Sequence, residues 1–219
     1  MHQLRDGHLL DALGGGGPLI TALLLSGGMD SVAVAWWKRP QVALTVDYGQ
    51  NAAQAEKTAA AQVCRELGIE HHVIQVDCRS LGAGDMSGSA ANPVAQTTEW
   101  WPYRNQLLVT LACMRAVSCG VNMLYLGTVQ GDGSRHRDGL PEFFQRMDGL
   151  VAFQEGGLRV QAPAIRFTTA QLIRQTGVPP GLLAWSHSCH RGNVACGDCP
   201  GCSKHFSTYD ELGSQYRSG

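Results

Sequence analysis

The hexapeptide Ser26-Gly27-Gly28-Met29-Asp30-Ser31 contains residue types that suit the binding of phosphate groups. It follows an apolar run at 18–25 that predicts a buried strand, and a helix is predicted from Ser31 onward. Glycine lets the backbone approach a phosphate closely, and the first turn of a helix offers unpaired N–H groups and the positive end of its dipole. The hydroxyls of Ser26 and Ser31 add donors. Asp30 fits an anion site if Mg²⁺ joins its carboxylate to phosphate oxygens.

The alternative for this segment is an ordinary glycine-rich turn between a strand and a helix. The hexapeptide, however, matches the Ser-Gly-Gly-x-Asp-Ser signature and resembles the loop of the PP-loop ATP pyrophosphatases. Neither Gly-x₄-Gly-Lys-Ser/Thr nor Gly-x-Gly-x-x-Gly occurs in the chain, so kinase-like and dinucleotide-binding sites lack their own motifs. The resemblance implies an enzyme that cleaves ATP between the α and β phosphates and releases pyrophosphate.

Four cysteines near the carboxyl terminus form a second group with chemical spacing. Two overlapping Cys-x-x-Cys units and a nearby fourth thiol suit a closed tetrahedral Zn²⁺ site. An iron–sulfur cluster uses the same ligands and stays open as an alternative, whereas disulfides and a redox pair fit the rest of the chain less well. The predicted metal ligands are Cys189, Cys196, Cys199 and Cys202.

The composition narrows the classes of protein that fit. The chain has 219 residues, of which 44% are hydrophobic and 16% charged, and its formal net charge is -1. That charge disfavours direct binding of nucleic acid or of an anionic membrane by the chain as a whole. No apolar run approaches the ~20 residues needed to cross a bilayer, and the amino terminus does not resemble a secretory signal. We therefore expect a cytoplasmic protein with reduced thiols.

Strand and helix patterns alternate along the chain. This alternation predicts an α/β fold with a doubly wound, mainly parallel sheet. We expect a flexible N-terminal arm at 1–17, a nucleotide-binding domain at 18–180 and a zinc-binding segment at 181–219. Strands are predicted at 18–25, 42–46, 71–76, 121–126 and 158–160, and helices at 31–38, 52–67, 105–118, 141–153 and 168–176.

Several motifs together give the chain a more specific resemblance. A PP-loop at the start and four cysteines near the end are accompanied by Asp47-Tyr48-Gly49-Gln50, by Arg104-Asn105 and by Leu126-Gly127. A stretch with the pattern Asp-x-x-Pro-Glu-Phe begins at Asp138, and Trp-Ser precedes the first cysteine of the cluster. Over roughly residues 20–206 the chain resembles the 7-cyano-7-deazaguanine synthase (QueC) family, as a divergent member. The resemblance implies a Rossmann-like sheet of the adenine nucleotide alpha hydrolase (HUP) type.

That family implies a reaction and a set of site residues. Its members adenylate 7-carboxy-7-deazaguanine with ATP and Mg²⁺, let ammonia displace AMP, and activate the amide again to give the nitrile preQ0. The resemblance implies catalytic roles for Asp30, Ser31 and Arg104, and substrate contacts for Gln50, Asp132 and Asp138. For both aspartates, loop capping is an equal alternative. The residues implied to bind ATP are Ser26, Gly27, Gly28, Asp30, Ser31, Asp47, Gln50, Arg104, Asn105 and Gly127.

The chain also departs from the family pattern. Asn51-Ala52 stands where the family has Arg-His, and Thr168-Thr169 where it has Thr-Lys. Ser203-Lys204 replaces an arginine that follows the last cysteine. Fewer basic residues weaken a phosphate site unless other cations replace them. The linker before Arg104 contains Trp100-Trp101. Three roles stay open for this pair: a surface for a partner, a lid over the substrate, or part of the core.

These departures leave alternatives open. One alternative is a QueC-like paralogue, of the kind linked to antiphage defence, which would transfer the activated deazaguanine to a protein amine instead of ammonia. A PP-loop enzyme that modifies tRNA needs an RNA surface, which the net charge disfavours. A non-catalytic module that binds zinc and nucleotide would keep the loop without the chemistry. A homodimer is the default assembly and is compatible with the sequence.

Overall fold

The computed structural model describes residues 18–134, 136–213 and 216, and the predicted arm at 1–17 lies outside them. Five strands form one parallel sheet: β1 (Thr21–Leu24), β2 (Val42–Asp47), β3 (Glu70–Gln75), β6 (Met123–Leu126) and β7 (Arg159–Gln161). Their order in the sheet is β3-β2-β1-β6-β7. The fold class is therefore the predicted one.

Helices cover both faces of the sheet because successive strand residues point to opposite sides. Leu23 and Ala43 face one hydrophobic cluster, and Ala22 and Leu44 face the other. The helices are α1 (Met29–Lys38), α2 (Ala53–Leu67), α3 (Arg104–Ser118), α4 (Pro141–Ala152), α5 (Thr169–Thr176), α6 (Pro180–Leu183) and α7 (Pro200–Leu212). Residues of α1, α2 and α5 belong to the first cluster, and residues of α3 and α4 belong to the second.

The order of the strands creates a switch point beside β1. The chain moves outward from β1 to β2 and β3, and then returns to place β6 on the other side of β1. Connections that leave two neighbouring parallel strands in opposite directions open a crevice at the carboxyl ends of those strands. The PP-loop follows β1 and Gly127 follows β6, so both predicted motifs lie at this crevice.

The long segment at 79–103 folds over the same edge of the sheet. It contains a small antiparallel pair, β4 (Ala83–Gly84) and β5 (Glu99–Trp100). Trp101 is only 5% exposed and packs edge-on against Tyr48, with ring centroids 4.7 Å apart. Of the three roles expected for the tryptophan pair, Trp101 therefore takes the one in the core.

The carboxyl-terminal segment is anchored on the main core. Leu212 of α7 belongs to the hydrophobic cluster that contains Leu172 and Ile173 of α5, and Tyr209 packs against it. The described part of the predicted segment at 181–219 thus shares a core with the predicted domain at 18–180. Within the described part of the chain, no helix is both long enough and apolar enough to cross a membrane.

Candidate functional site

A cavity of about 920 Å³ opens at the crevice between β1 and β6. Its floor is the PP-loop and the start of α1, and its walls come from the 79–103 segment, the loop after β6 and the carboxyl-terminal segment. Residues distant in sequence therefore surround one space.

The PP-loop has a conformation that requires glycine. Gly27 has φ +79°, and a Cβ atom there would lie 2.8 Å from both the Ala59 Cβ and the Glu56 carbonyl oxygen. Gly28 is the N-cap of α1 and makes no side-chain capping hydrogen bond. The first N–H groups of a helix lack intrahelical partners, so this uncapped end can donate to an anion in the cavity.

Two serines and a further glycine complete the loop. The Ser31 hydroxyl donates to the Gly28 carbonyl at 2.9 Å, and the Ser26 and Ser31 hydroxyl oxygens are 3.3 Å apart. At Gly127, an added Cβ atom would lie 2.8 Å from the Ser31 Cα. Glycine at this position lets the end of β6 approach the first turn of α1.

Asp30 lies at the cavity floor in an ion-pair network. The Lys204 amine contacts the Asp30 Oδ2 at 2.8 Å and the Asp132 Oδ1 at 3.0 Å. The other carboxylate oxygen of Asp30 is buried and has no hydrogen-bond partner among the residues that the structure describes. Burial raises the pKa of Asp30, with Asp132 adding to the shift and Lys204 opposing it. A divalent cation would satisfy that oxygen.

Lys204 is the charged cavity residue that sequence reasoning missed most clearly. It lies 174 residues after Asp30 and is carried into the cavity by α7. Burial opposes its charge, yet the carboxylates of Asp30 and Asp132 hold the pKa of Lys204 above its usual value. The only sequence signal was a basic residue shortly after the last cysteine. Lys204 supplies a cation where the residues at 168–169 lack one.

The start of α3 brings further predicted residues to the cavity. Arg104 and Asn105 line it, and the Arg104 guanidinium lies 2.7 Å from the Met86 sulfur. Asp138 does not line the cavity, and its Oδ2 accepts a hydrogen bond from the Asn105 backbone N–H at 3.3 Å, at the start of α3. Asp132 lines the cavity, and its Oδ2 accepts a hydrogen bond from the Val129 N–H of its own loop at 3.2 Å.

Asp47 and Gln50 lie outside this cavity, at a smaller one of about 560 Å³. Asp47 pairs with the Lys57 amine at 2.6 Å. Gln50 is 3% exposed, and its amide donates to the Glu56 Oε2 at 2.7 Å. Glu56 does line the main cavity, and burial raises its pKa to about 6. Gln50 therefore contacts residues that line the main cavity without lining it itself, and its side-chain contact there is with Glu56.

The opposite side of the cavity is apolar. Val46, Tyr48 and Met86 line it and form a cluster with the buried Trp101. Burial raises the pKa of Tyr48 above its usual value, so this phenol is neutral near pH 7. A flat aromatic ring fits against such a surface.

The four predicted metal ligands converge. Their sulfur atoms all lie within 4.8 Å of one another, and the pairs Cys189–Cys199 and Cys196–Cys202 are each 4.0 Å apart. Thiolates bound to Zn²⁺ at ~2.3 Å in a tetrahedron are about 3.8 Å apart. The cluster therefore has the size of a four-thiolate metal site.

Backbone N–H groups donate to one of these thiols. His190 and Cys202 donate to the Cys199 sulfur at 3.3 and 3.4 Å. Burial raises the pKa of a thiol, but these bonds lower the pKa of Cys199 to about 7. The cysteine segment also reaches the PP-loop, because the His187 N–H donates to the Gly27 carbonyl at 2.9 Å. The cluster and the phosphate loop are structurally joined.

Comparison with known proteins agrees with these features. A family model described as "Queuosine biosynthesis protein QueC" matches residues 21–213. The 7-cyano-7-deazaguanine synthase of Pseudomonas fluorescens (strain Pf0-1) is 33% identical over 199 residues, which cover 82% of this chain and 86% of that protein. The one from Xanthomonas euvesicatoria pv. vesicatoria (strain 85-10) is 34% identical over 212 residues, covering 87% and 93%.

Among solved structures, one enzyme shows a distant likeness. The NMN synthetase of Francisella tularensis has a TM-score of 0.42 and 17% identity, covering 90% of this chain and 73% of that one. A likeness at this level adds nothing to the strand order described above. The family model, by contrast, spans most of the chain, and relatives more than 30% identical cover over four fifths of it. The chain therefore belongs to the QueC family.

Proposed function

We propose that this protein adenylates 7-carboxy-7-deazaguanine with ATP and converts it, with ammonia, to 7-cyano-7-deazaguanine. The observation that carries the proposal is the uncapped amino terminus of α1 in the cavity, with Asp30 and Lys204 beside it. The curated relatives named 7-cyano-7-deazaguanine synthase support the choice of substrate.

The polar half of the cavity holds the phosphates in this proposal. The N–H groups at the start of α1 and the hydroxyls of Ser26 and Ser31 donate to phosphate oxygens. Lys204 and Arg104 supply positive charge from two sides. Such fixed donors stabilise the charge that accumulates as the α–β bond of ATP breaks, and they need no rearrangement at that moment.

The cavity carries more acid than base among its described lining residues. Arg104 and Lys204 are the full cations among these residues. The six carboxylates are Asp30, Glu56, Glu99, Asp132, Asp198 and Glu211, of which the last two pair with Arg191 and Arg174 outside the lining. A polyphosphate would be repelled by this excess unless a divalent cation came with it. Asp30, whose Oδ1 has no hydrogen-bond partner among the described residues, and Asp132 are the residues we assign to Mg²⁺. The ion would supply charge neutralisation at the phosphates.

The chemistry then proceeds by two activations. A carboxylate oxygen of the substrate attacks the α phosphorus, the bond to the β phosphate breaks, and pyrophosphate leaves. Ammonia attacks the adenylated carbon, loses a proton and expels AMP, which gives the amide. The amide oxygen attacks the α phosphorus of a second ATP and a second pyrophosphate leaves. Loss of AMP and of the two protons on the nitrogen then gives the nitrile. The protein aligns these groups and excludes water.

Zn²⁺ is the metal we assign to the cysteine cluster. Four thiolates leave no open position, so the ion has a structural role. It would hold Cys189 and Cys199 together and so fix the start of α7, which carries Lys204.

Mass spectrometry of the product tests the proposal. The purified protein is incubated with ATP, Mg²⁺, ammonium and 7-carboxy-7-deazaguanine, and a free nitrile is expected. A product that stops at the amide, or no product at all, would contradict the assignment. A mass adduct on co-expressed protein instead of free nitrile would favour the second candidate, in which a protein amine takes the place of ammonia.

A further inference from the structure

Glu56 lines the cavity where its phosphate-binding half meets its apolar half. The backbone of Glu56 adjoins the PP-loop, because its carbonyl oxygen lies 2.8 Å from the place of an added Cβ atom on Gly27. Its carboxylate accepts a hydrogen bond from the Gln50 amide at 2.7 Å, and the Gln50 Oε1 accepts one from the Tyr48 N–H at 2.9 Å. Tyr48 belongs to the apolar wall. Glu56 thus connects the loop with that wall.

The carbon that reacts in the proposed chemistry belongs at the same junction. The flat ring of the substrate packs against the apolar wall, and the phosphates lie at the start of α1. The carboxyl carbon is bonded to the ring on one side and, after adenylation, through oxygen to the α phosphorus on the other. It therefore has to lie between the two halves of the cavity, where Glu56 is part of the lining.

Gln50 fixes the orientation of the Glu56 carboxylate. Because the Gln50 Oε1 accepts from the Tyr48 N–H, the nitrogen of the same amide is the atom that faces Glu56. That nitrogen also donates to the Val46 carbonyl at 3.2 Å, and Gln50 is only 3% exposed. Gln50 donates to one carboxylate oxygen, Oε2. An ionised carboxylate accepts about four hydrogen bonds, so Glu56 can still accept from a ligand in the cavity.

Ammonia needs a proton acceptor when it attacks an adenylated carbon. Its lone pair forms the C–N bond, and the nitrogen becomes positively charged. One proton has to leave this nitrogen before AMP is expelled, since otherwise ammonia is the better leaving group. A carboxylate within reach takes that proton, and AMP then departs with the electron pair of the broken C–O bond.

We propose that Glu56 is the general base that takes a proton from the attacking ammonia, and that Gln50 positions its carboxylate. This inference rests on the proposed function, since it assumes an adenylated deazaguanine acid. The proton passes from Glu56 to solvent water before the second ATP reacts, which restores the carboxylate.

The surroundings of Glu56 suit a base that works near neutral pH. Burial raises its pKa to about 6, while the hydrogen bond from Gln50 and the charge of Arg104 lower it and the charge of Asp47 raises it. The nearby Tyr48 phenol is neutral at this pH. Glu56 is therefore ionised above pH 6, and a base with a pKa close to the working pH transfers protons efficiently.

Separate measurement of the two half-reactions tests the inference. Without ammonium, one turnover of wild-type protein with ATP, Mg²⁺ and the acid gives a burst of pyrophosphate, which reports adenylation. Ammonium is then added, and amide and nitrile are counted together by mass spectrometry. Glu56→Gln should keep the burst rate within about threefold but form amide at least about a hundredfold more slowly, as expected for loss of a general base. Amide formation at the wild-type rate overturns the inference.

Matched variants separate proton transfer from a general effect on the cavity. Glu66 also lies in α2 and accepts from a glutamine amide, that of Gln62 at 3.0 Å, but it is exposed and does not line the cavity. Glu66→Gln should change neither half-reaction. An equal loss of both half-reactions in Glu56→Gln would contradict a role in proton transfer.

A second variant covers the case in which Glu56→Gln does not fold. Glu56→Asp keeps a carboxylate but withdraws it by one methylene. It should keep the burst and slow amide formation by at least about tenfold, because a general base acts only at the right distance. Unchanged amide formation in a folded Glu56→Asp would refute the inference.

The pH profile of amide formation gives a readout that a purely structural role would not change. Total ammonium is adjusted at each pH so that the concentration of neutral ammonia stays constant. The rate for wild-type protein should rise with pH through about 6, as Glu56 ionises. Glu56→Gln should lack this rise, and a profile shared by both proteins would contradict the inference.

The two proposals fail in different ways. If wild-type protein gives no pyrophosphate burst with 7-carboxy-7-deazaguanine, the proposed substrate is wrong and the role of Glu56 falls with it. If wild-type protein gives the burst and the amide, and Glu56→Gln gives both at the same rates, only the role of Glu56 is wrong.

Discussion

Replacing Lys204 with methionine removes one positive charge from the phosphate half of the cavity at nearly constant volume. The amine lies 2.8 Å from Asp30 and 3.0 Å from Asp132, so the variant also leaves two carboxylates facing each other without their counterion. The side chain is 41% exposed, and solvent therefore screens part of the charge. We expect the free energy of unfolding to fall by only about 1 kcal/mol.

The effect on ATP should be larger than the effect on stability. A hydrogen bond between charged groups contributes roughly 1.5–3 kcal/mol, which is about tenfold to 150-fold in affinity. The added repulsion between Asp30 and Asp132 acts in the same direction. Lys204→Met should therefore weaken Mg²⁺–ATP binding by at least about tenfold, and Lys204→Arg should recover most of the loss because it keeps the charge.

Calorimetric titration with Mg²⁺–ATP measures this effect, with Lys57→Met as the control. Lys57 also pairs with an aspartate, Asp47, at 2.6 Å, but it lines the smaller cavity instead of the main one. ATP affinity should be unchanged in the control. Wild-type affinity in Lys204→Met, or an equal loss in both variants, would refute the assignment of Lys204 to the phosphate site.

Three further predictions concern the loop, the metal cluster and the cavity carboxylate. Gly27→Ala should abolish ATP binding, because its Cβ atom would lie 2.8 Å from two neighbouring atoms. The control is Gly68→Ala, where φ is +67° and no atom lies near the added Cβ, and it should lower the free energy of unfolding by only about 1 kcal/mol. Equal effects of the two variants would contradict this prediction. Cys199→Ser should lose bound metal and lower the melting temperature, measured by elemental analysis and calorimetry, while Cys113→Ser keeps its metal; full metal content in Cys199→Ser would reject the cluster. Burial raises the pKa of Glu56 from 4.5 to about 6, so the protonated carboxyl stabilises the folded state by about 1–2 kcal/mol below pH 4.5, and this contribution is lost as the pH rises through 6. The unfolding free energy of wild type minus that of Glu56→Gln should therefore fall between pH 4.5 and 6. A difference that does not change with pH would show that Glu56 has an ordinary pKa.

The sheet could be predicted from sequence because its central strands are buried on both faces. The apolar runs at 18–25 and 42–46 fit only such strands, and the alternation with helices fixes a parallel arrangement. The observed ends of some elements differ from the predicted ends by a few residues: α1 begins at Met29 instead of Ser31, and β6 begins at Met123 instead of Val121. Local hydrogen bonding sets these ends, and apolar patterns do not record it.

The site could be predicted only where a motif is continuous in sequence. The PP-loop and the cysteine cluster are each made of residues close in sequence. The structure places the PP-loop at the cavity and brings the four cysteine sulfur atoms together. Lys204 and Glu99 enter the cavity through α7 and a short hairpin, and their positions depend on tertiary packing. Asp138 belongs to a motif that is continuous in sequence, and the sequence allowed it either a substrate contact or a capping contact. In the structure its carboxylate accepts a hydrogen bond from the start of α3. The catalytic and binding roles of the predicted residues stay predictions.

Release of pyrophosphate that depends on 7-carboxy-7-deazaguanine tests the central claim most directly. With ATP, Mg²⁺ and ammonium, wild-type protein should release pyrophosphate and AMP in equal amounts when the acid is present and neither when it is absent. Asp30→Asn should abolish this release while the protein remains folded by circular dichroism. Release of ADP and phosphate, release that ignores the acid, or an Asp30→Asn variant with wild-type activity would contradict the account.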